Sequence, residues 1–219
     1  MDNKIPKYTD LGFEKFKVPN DLYCLIMDEY KSITDWQFNR KVEYSKEQRV
    51  NVVSGISILN SNSPYYRYYP LSDTLVDKCY SVLTPIVSEW ANIDLERTHQ
   101  YGIRSYCKNS ILHMHTDVQD THVISCILFI AEHPTDTKWP LDYIDHNNKH
   151  HQIVFNPGEM LFYESLRPHG RVTPFSGNYY RNFYVHWKPV NWDHPYTGKG
   201  IIEYKSVEES IKISNYDFK

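Results

Sequence analysis

The sequence predicts an α+β, mainly β fold in which N-terminal helices precede a core of short antiparallel strands. Three observations carry that expectation. The 219 residues include 19 Tyr, 9 Phe and 5 Trp, side chains that suit pleated, half-buried surfaces. Two segments in the first hundred residues carry apolar residues at helical spacing. From Thr98 onward the texture changes to eight short runs separated by turn residues, the pattern of a closed or double-sheet β architecture.

The elements follow in order. Val18 to Ile33 reads as a helix: Pro19 and Asn20 give a start signal, and Leu22, Leu25, Ile26 and Tyr30 recur at helical spacing. Val50 to Leu59 reads as strand-like, and the following segment, punctuated by Pro64 and Pro70, as a loop. A second helix is expected over Ser72 to Trp90, kinked at Pro85, with an apolar stripe of Leu75, Cys79, Val82, Leu83, Ile86 and Trp90. The strands are expected at His99–Tyr106, His113–Asp117, His122–Ala131, Leu141–Asp145, His151–Phe155, Glu159–Tyr163, Gly170–Thr173 and Tyr179–His186. The run from Val123 to Ala131 is apolar on both faces, as befits a strand between a sheet interior and packed helices. Beyond Pro189 the chain turns polar and reads as an extended arm or a wrapped C-terminus. One domain, 1–219, is expected, with a helical and mixed part at 1–97, a β core at 98–189 and a C-terminal extension at 190–219.

Composition narrows the function classes. Hydrophobic residues at 41% and charged residues at 23% describe a globular chain. The net charge of −3 and the lack of a Lys/Arg run argue against a nucleic-acid partner. Cys24, Cys79, Cys107 and Cys126 form no C-x-x-C pair, which argues against a zinc ribbon or a dithiol redox motif. The N-terminus shows no apolar signal region, and no apolar run is long enough to span a bilayer. The expectation is a soluble cytoplasmic protein with reduced thiols and no membrane partner; its oligomeric state is left open.

The chemistry begins at His115-Thr116-Asp117. In a strand, residues i and i+2 point the same way, so one imidazole and one carboxylate can reach a single ion. Two His and one carboxylate on one face suit Fe(II) and leave its other positions open. A lone H-x-D is weak in a chain with 11 His, and context strengthens it. His169 offers a third ligand at the edge of another expected strand, and Arg181 follows twelve residues later. Arg181 and Trp187 share parity on the last core strand and so share a face. A guanidinium facing a metal pocket can pair bidentately with a carboxylate.

From Tyr101 to Trp187 the sequence resembles the prolyl 4-hydroxylase-like branch of the 2-oxoglutarate/Fe(II)-dependent oxygenases. The resemblance rests on Tyr106 nine residues before His115, the H-x-D pair and the buried run Val123–Ala131. It continues through Pro157-Gly158-Glu159 leading into Met160–Tyr163, then His169, and Arg181 six residues before Trp187. It implies a double-stranded β-helix core, jelly-roll or cupin-like, with the N-terminal helices packed on one sheet. It implies Fe(II) held by His115, Asp117 and His169, and 2-oxoglutarate as cosubstrate bound by Tyr106 and Arg181. O₂ is the oxidant, with ascorbate as an accessory reductant. The implied reaction is hydroxylation of a prolyl residue in a peptide or protein, with succinate and CO₂ as co-products; a small molecule is the other substrate class. Trp187, Trp139, Tyr143 and His122 are the implied substrate-pocket residues.

The departures bear on the substrate more than on the metal. The usual G-G-x-T segment is replaced near Lys138-Trp139-Pro140-Leu141, His122 stands where many peptide-prolyl members have arginine, and Asn109 stands in place of a glycine. The longer spacing from His169 keeps Arg171 as an alternative carboxylate partner to Arg181. His113 shares the parity of His115 and reads either as a fourth, cupin-like ligand or as a satisfied histidine. His150 and His151 alternate faces and read as strand-edge polarity, and His186 reads as structural. Trp139 and Tyr143 read either as flanking the site mouth or as packing. Arg167 and Arg171 read either as orienting substrate or as solvated. A non-catalytic β-helix module binding peptide or sugar, and a cupin-type metal enzyme independent of 2-oxoglutarate, are the competing functions.

Overall fold

The computed structural model describes residues 5–33, 67–133, 138–193 and 202–214. Along the chain lie β1 (Phe13–Lys17), α1 (Asn20–Ser32), β2 (Arg67–Tyr69), α2 (Asp73–Ala91), β3 (Leu95–Cys107), β4 (Leu112–Thr116), β5 (Ile124–Glu132), β6 (Leu141–Ile144), β7 (His150–Ile153), β8 (Glu159–Glu164), β9 (His169–Arg171), β10 (Tyr179–Pro189), β11 (Ile202–Tyr204) and α3 (Val207–Ser214). The strands form two antiparallel sheets. The larger runs β1-β8-β5-β10-β3-β2 and the smaller runs β11-β4-β9-β6-β7. The eight expected core strands are all present, with boundaries shifted by a few residues.

Side-chain alternation sorts the larger sheet into two faces. On β5 and β8, Ile127, Phe129, Leu161 and Tyr163 enter an aromatic core with Tyr106, Trp139, Tyr143 and Tyr180 of β3, the β5–β6 connection, β6 and β10. Cys126, Leu128, Met160 and Phe162 alternate with them and join Leu22 and Ile26 of α1 and Leu75, Cys79 and Leu83 of α2. The first core lies between the sheets and the second between the larger sheet and the helices. The strands between these layers are therefore buried on both faces, as the continuous run in β5 predicts.

Local chemistry sets the helix ends. The Ser72 hydroxyl caps α2 by accepting from the Leu75 amide at 3.4 Å. The Glu29 carboxylate of α1 accepts from the Ser72 amide at 2.7 Å and its hydroxyl at 2.6 Å, which ties the helices together. α2 runs through Pro85 to Ala91 and ends on Asn92 in the left-handed conformation.

Four elements escaped the sequence reading. β2 forms inside the expected loop and pairs with β3. β1 is a five-residue edge strand whose Lys15 and Lys17 pair with Glu159. β11 pairs with β4, and α3 packs Val207 and Ile211 beside Met114, Ile144 and Tyr204. The described part of the tail thus wraps the outer face of the smaller sheet. The strand expected at Val50–Leu59 lies outside the described residues.

Candidate metal centre

The centre is built where the smaller sheet brings two strands together. His115 on β4 lies opposite His169 on β9 in the antiparallel register, with an irregularity between Leu112 and His115. Gly170, next to His169, is what lets these strands close up. A Cβ there would stand 2.7 Å from the His113 carbonyl oxygen and 2.8 Å from that of Leu112. Asp117 follows β4, held by its amide donating to the Ser165 carbonyl at 2.9 Å. His115, Asp117 and His169 are buried, and one ligand atom from each lies within 4.8 Å of the others.

Hydrogen bonds fix which nitrogens face the centre. The Nδ1–H of His115 donates to the His113 carbonyl at 2.8 Å, and that of His169 to the Arg167 carbonyl at 2.9 Å. A carbonyl only accepts, so Nδ1 carries a proton in both rings and Nε2 is the atom each ring turns toward the centre. Those Nε2 atoms sit 3.5 and 3.7 Å from Asp117 Oδ1. Burial, reinforced by neighbouring His115, pushes the His169 imidazole down to about 4, so it is neutral at pH 7 although Asp117 opposes the shift. Burial alone would raise the Asp117 carboxyl, but His169, His115 and His186 outweigh it and hold it ionised. Its Oδ2 is buried with no hydrogen-bond partner. A buried carboxylate so exposed to low dielectric requires a cation. Two imidazoles and one carboxylate, with the ring orientations fixed from behind, fit a divalent metal with open positions.

Arg181 and Trp187 do share a face, but it is the helix-side face. Arg181 donates to the Tyr30 hydroxyl of α1 at 2.7 Å and to the Ser105 hydroxyl at 3.3 Å, and stacks on Tyr179. Trp187 donates to Thr84 of α2 at 2.9 Å and meets Tyr80 edge-on. The opposite face of β10 carries Tyr180, Tyr184 and His186. His186, expected to be structural, comes within 4.0 Å of Asp117 Oδ2 and within 2.6 Å of the Ser125 hydroxyl. His122 packs against His186 with ring centroids 3.9 Å apart, and its two nitrogens meet the Thr121 and Tyr101 hydroxyls. Its own burial, before other causes, pushes it down to about 4.

Tyr106 lies in the inter-sheet core, its hydroxyl 3.0 Å from that of Tyr184 and 3.4 Å from Arg104. Trp139 and Tyr143 are buried there too. Trp139 donates to the Thr173 carbonyl at 2.6 Å, and Tyr143 to the Gly12 carbonyl at 2.8 Å. The His113 side chain is not among the grouped ligands. His150 and His151 are engaged by Asp142 and Asp145, each at 2.8 Å. Neither Arg167 nor Arg171 is solvated. Arg167 binds the Ile144 and Asp145 carbonyls, and Arg171 reaches the Trp139 carbonyl and the Tyr180 hydroxyl. Arg104 was not singled out from the sequence, although it shares strand parity with Tyr106.

No family model matches the sequence, and no curated protein is similar to it. Solved structures are similar in fold. A Pseudomonas putida prolyl-4-hydroxylase matches with a TM-score of 0.52 and 12% identity, over 82% of this chain and 94% of that one. HygX from Streptomyces hygroscopicus, with nickel, 2-oxoglutarate and hygromycin B bound, matches at 0.56 and 11%, over 91% and 95%. EctD from S. alaskensis, with 2-oxoglutarate and 5-hydroxyectoine, matches at 0.58 and 11%, over 84% and 74%. The architecture is the double-stranded β-helix of these proteins, and the His-x-Asp…His triad stands within it.

Proposed function

We propose that the chain is an Fe(II)- and 2-oxoglutarate-dependent oxygenase with His115, Asp117 and His169 as metal ligands. The observation that carries this reading is the pair of imidazoles locked from behind, with both Nε2 atoms turned toward a buried carboxylate whose second oxygen has no partner. The bound 2-oxoglutarate in HygX and EctD, which share the fold, supports the cosubstrate.

Bound iron would supply O₂ activation coupled to decarboxylation of 2-oxoglutarate to succinate, oxidising the substrate. The chain's own residues prepare the site for it. The His113 and Arg167 carbonyls hold the imidazole protons at Nδ1, away from the ligand face. Asp117 contributes the negative charge that favours a divalent cation. The Tyr163 ring packs on His169 at 4.9 Å, and with the apolar residues beneath it keeps water from the inner side of the site. Preset ligands and water exclusion are what a protein must contribute to such chemistry.

The finer reading is hydroxylation of a prolyl residue in a peptide or protein. The sequence resemblance and the prolyl-4-hydroxylase among the similar structures support it; HygX and EctD, whose structures hold hygromycin B and 5-hydroxyectoine, favour a small-molecule substrate. The first test is anaerobic titration of metal-free protein with Fe(II) and 2-oxoglutarate, read by the visible charge-transfer band of the chelated keto acid. A band in the parent that Asp117→Ala abolishes is the expected result. No band from folded parent protein would discard the oxygenase reading. Proline-containing peptides are then assayed for the mass gain of one oxygen.

A further inference from the structure

The two oxygens of Asp117 face different neighbours. Oδ1 faces the Nε2 atoms of His115 and His169, at 3.5 and 3.7 Å. Oδ2 is buried, accepts no hydrogen bond and lies 4.0 Å from Nδ1 of His186. One oxygen is therefore turned toward the metal position and the other toward β10.

His186 is fixed from several directions. It stands opposite Ser125 of β5 in the antiparallel register, and its Nδ1 is hydrogen-bonded to the Ser125 hydroxyl at 2.6 Å. Ser125 is bonded in turn to the Ser165 hydroxyl. The Ser165 carbonyl accepts from the Asp117 amide at 2.9 Å, so the chain of contacts returns to the residue where it began. The His122 ring packs on His186 at 3.9 Å, and the Tyr184 ring lies within 8° of parallel to it at 6.3 Å. Ser125, Ser165 and His186 are all buried. A lone pair on Nδ1 would face an anionic oxygen, whereas an N–H there meets a hydroxyl and a carboxylate oxygen, both of which accept. The ring proton therefore belongs on Nδ1. At 4.0 Å its pull on Oδ2 is a charge–dipole attraction and not a hydrogen bond.

We propose that His186 is a positioning residue for Asp117: its Nδ1–H, anchored by Ser125, holds Oδ2 back so that the carboxylate binds the metal through Oδ1 alone. A second carboxylate oxygen on the ion would occupy one of the positions that must stay open for chemistry. His186 acts through Asp117 and is not among the grouped ligands. This inference rests on the reading of His115, Asp117 and His169 as metal ligands.

The test counts the waters on bound Mn(II), with no cosubstrate and no turnover. Oxygen-17-enriched water broadens the Mn(II) electron-spin resonance in proportion to the number of waters bound. A six-coordinate ion held by one atom from each of the three ligands keeps about three waters. The parent is expected to show about three, and His186→Leu about two, with Mn(II) affinity lowered by about 10- to 100-fold. His186→Asn, which returns an N–H donor near the place of Nδ1, is expected to bring both readouts back toward the parent's. Ser125→Ala frees the ring from its anchor and should shift both in the same direction as His186→Leu. If His186→Leu does not fold, Ser125→Ala decides in its place. A histidine that only fills space would lower stability and leave the water count alone, so a folded variant with the parent's count overturns the proposal and leaves the metal reading intact. Loss of a water in His186→Asn as well as His186→Leu also overturns it, since the ring and not its N–H would then be responsible. A parent that binds no Mn(II) overturns both.

Discussion

Replacing Gly170 with alanine tests whether the metal centre depends on how closely β4 and β9 approach. The added Cβ would lie 2.7 Å from the His113 carbonyl oxygen, 2.8 Å from that of Leu112 and 2.9 Å from the His113 carbonyl carbon. All three are backbone atoms, so no side chain can swing aside. Reaching the 3.4 Å at which ordinary contact begins requires a displacement of about 0.7 Å between the strands, several times the ~0.2 Å tolerance of a metal–ligand distance. The neighbours on either side are the ligand His169 and the carbonyl that fixes the His115 tautomer. Overpacking of this kind costs about 1–3 kcal/mol of stability, and disturbed ligand support weakens metal binding by about 10- to 100-fold. Urea unfolding of the metal-free variant gives the first number and calorimetric titration with Co(II) the second. A variant that matches the parent in both would refute the idea that strand approach sets the ligand geometry.

Other consequences are testable in parallel. In the metal-free protein His169 and His122 sit at about 4, below the ordinary histidine value of 6.5. Each folded-state value is depressed, so stability is full above about pH 6.5 and falls as pH drops toward 4, by about 1.4 kcal/mol per pH unit per histidine. His122→Asn should remove close to one proton from that slope near pH ~5, midway between the two values, and an unchanged slope would place the acid sensitivity elsewhere. A divalent metal at a hundred times its dissociation constant should add about 2.7 kcal/mol of stability; Asp117→Ala should erase that gain, as followed by thermal unfolding with and without Mn(II). Trp187→Ala should cost about 3–5 kcal/mol by opening a cavity against α2. Its Mn(II) affinity, measured in the folded fraction, should match the parent's, and a large loss would put Trp187 back in the site.

The metal ligands were legible because their signal is local. His115 and Asp117 are two residues apart on or just beyond one strand, and His169 stands at the start of another. That Arg181 and Trp187 turn toward the helices was not legible, for a reason that lies in β10. Every residue from Tyr180 to Trp187 is buried, because the aromatic core covers one face and the helices cover the other. Such a strand has no apolar–polar alternation, so parity shows which residues share a face and not which face that is. The same parity that seemed to set His186 aside places it beside Asp117. Arg171 was kept in view by the sequence, since it stands two residues beyond His169 and so shares its face. Gly170 could not, because the atoms that demand a glycine belong to β4. β2 and β11 were missed because three-residue strands carry too little pattern to register.

The placement of β10 also governs when this protein can fold. It lies inside the larger sheet between β5 and β3, and it is the last core strand in the chain. During synthesis β3 and β5 emerge long before the strand that must pair with both, and their inner edges wait unsatisfied. The N-terminal segment waits as well, since β1 pairs with β8 and the Thr9 amide donates to Glu164. Pairings this distant in sequence make for slow folding. A nascent chain stalled just before Tyr179 already contains all three metal ligands yet lacks the strand that closes the larger sheet. Metal capture should therefore follow the docking of β10, and Mn(II) in the refolding buffer should leave the phase that precedes β10 docking unchanged.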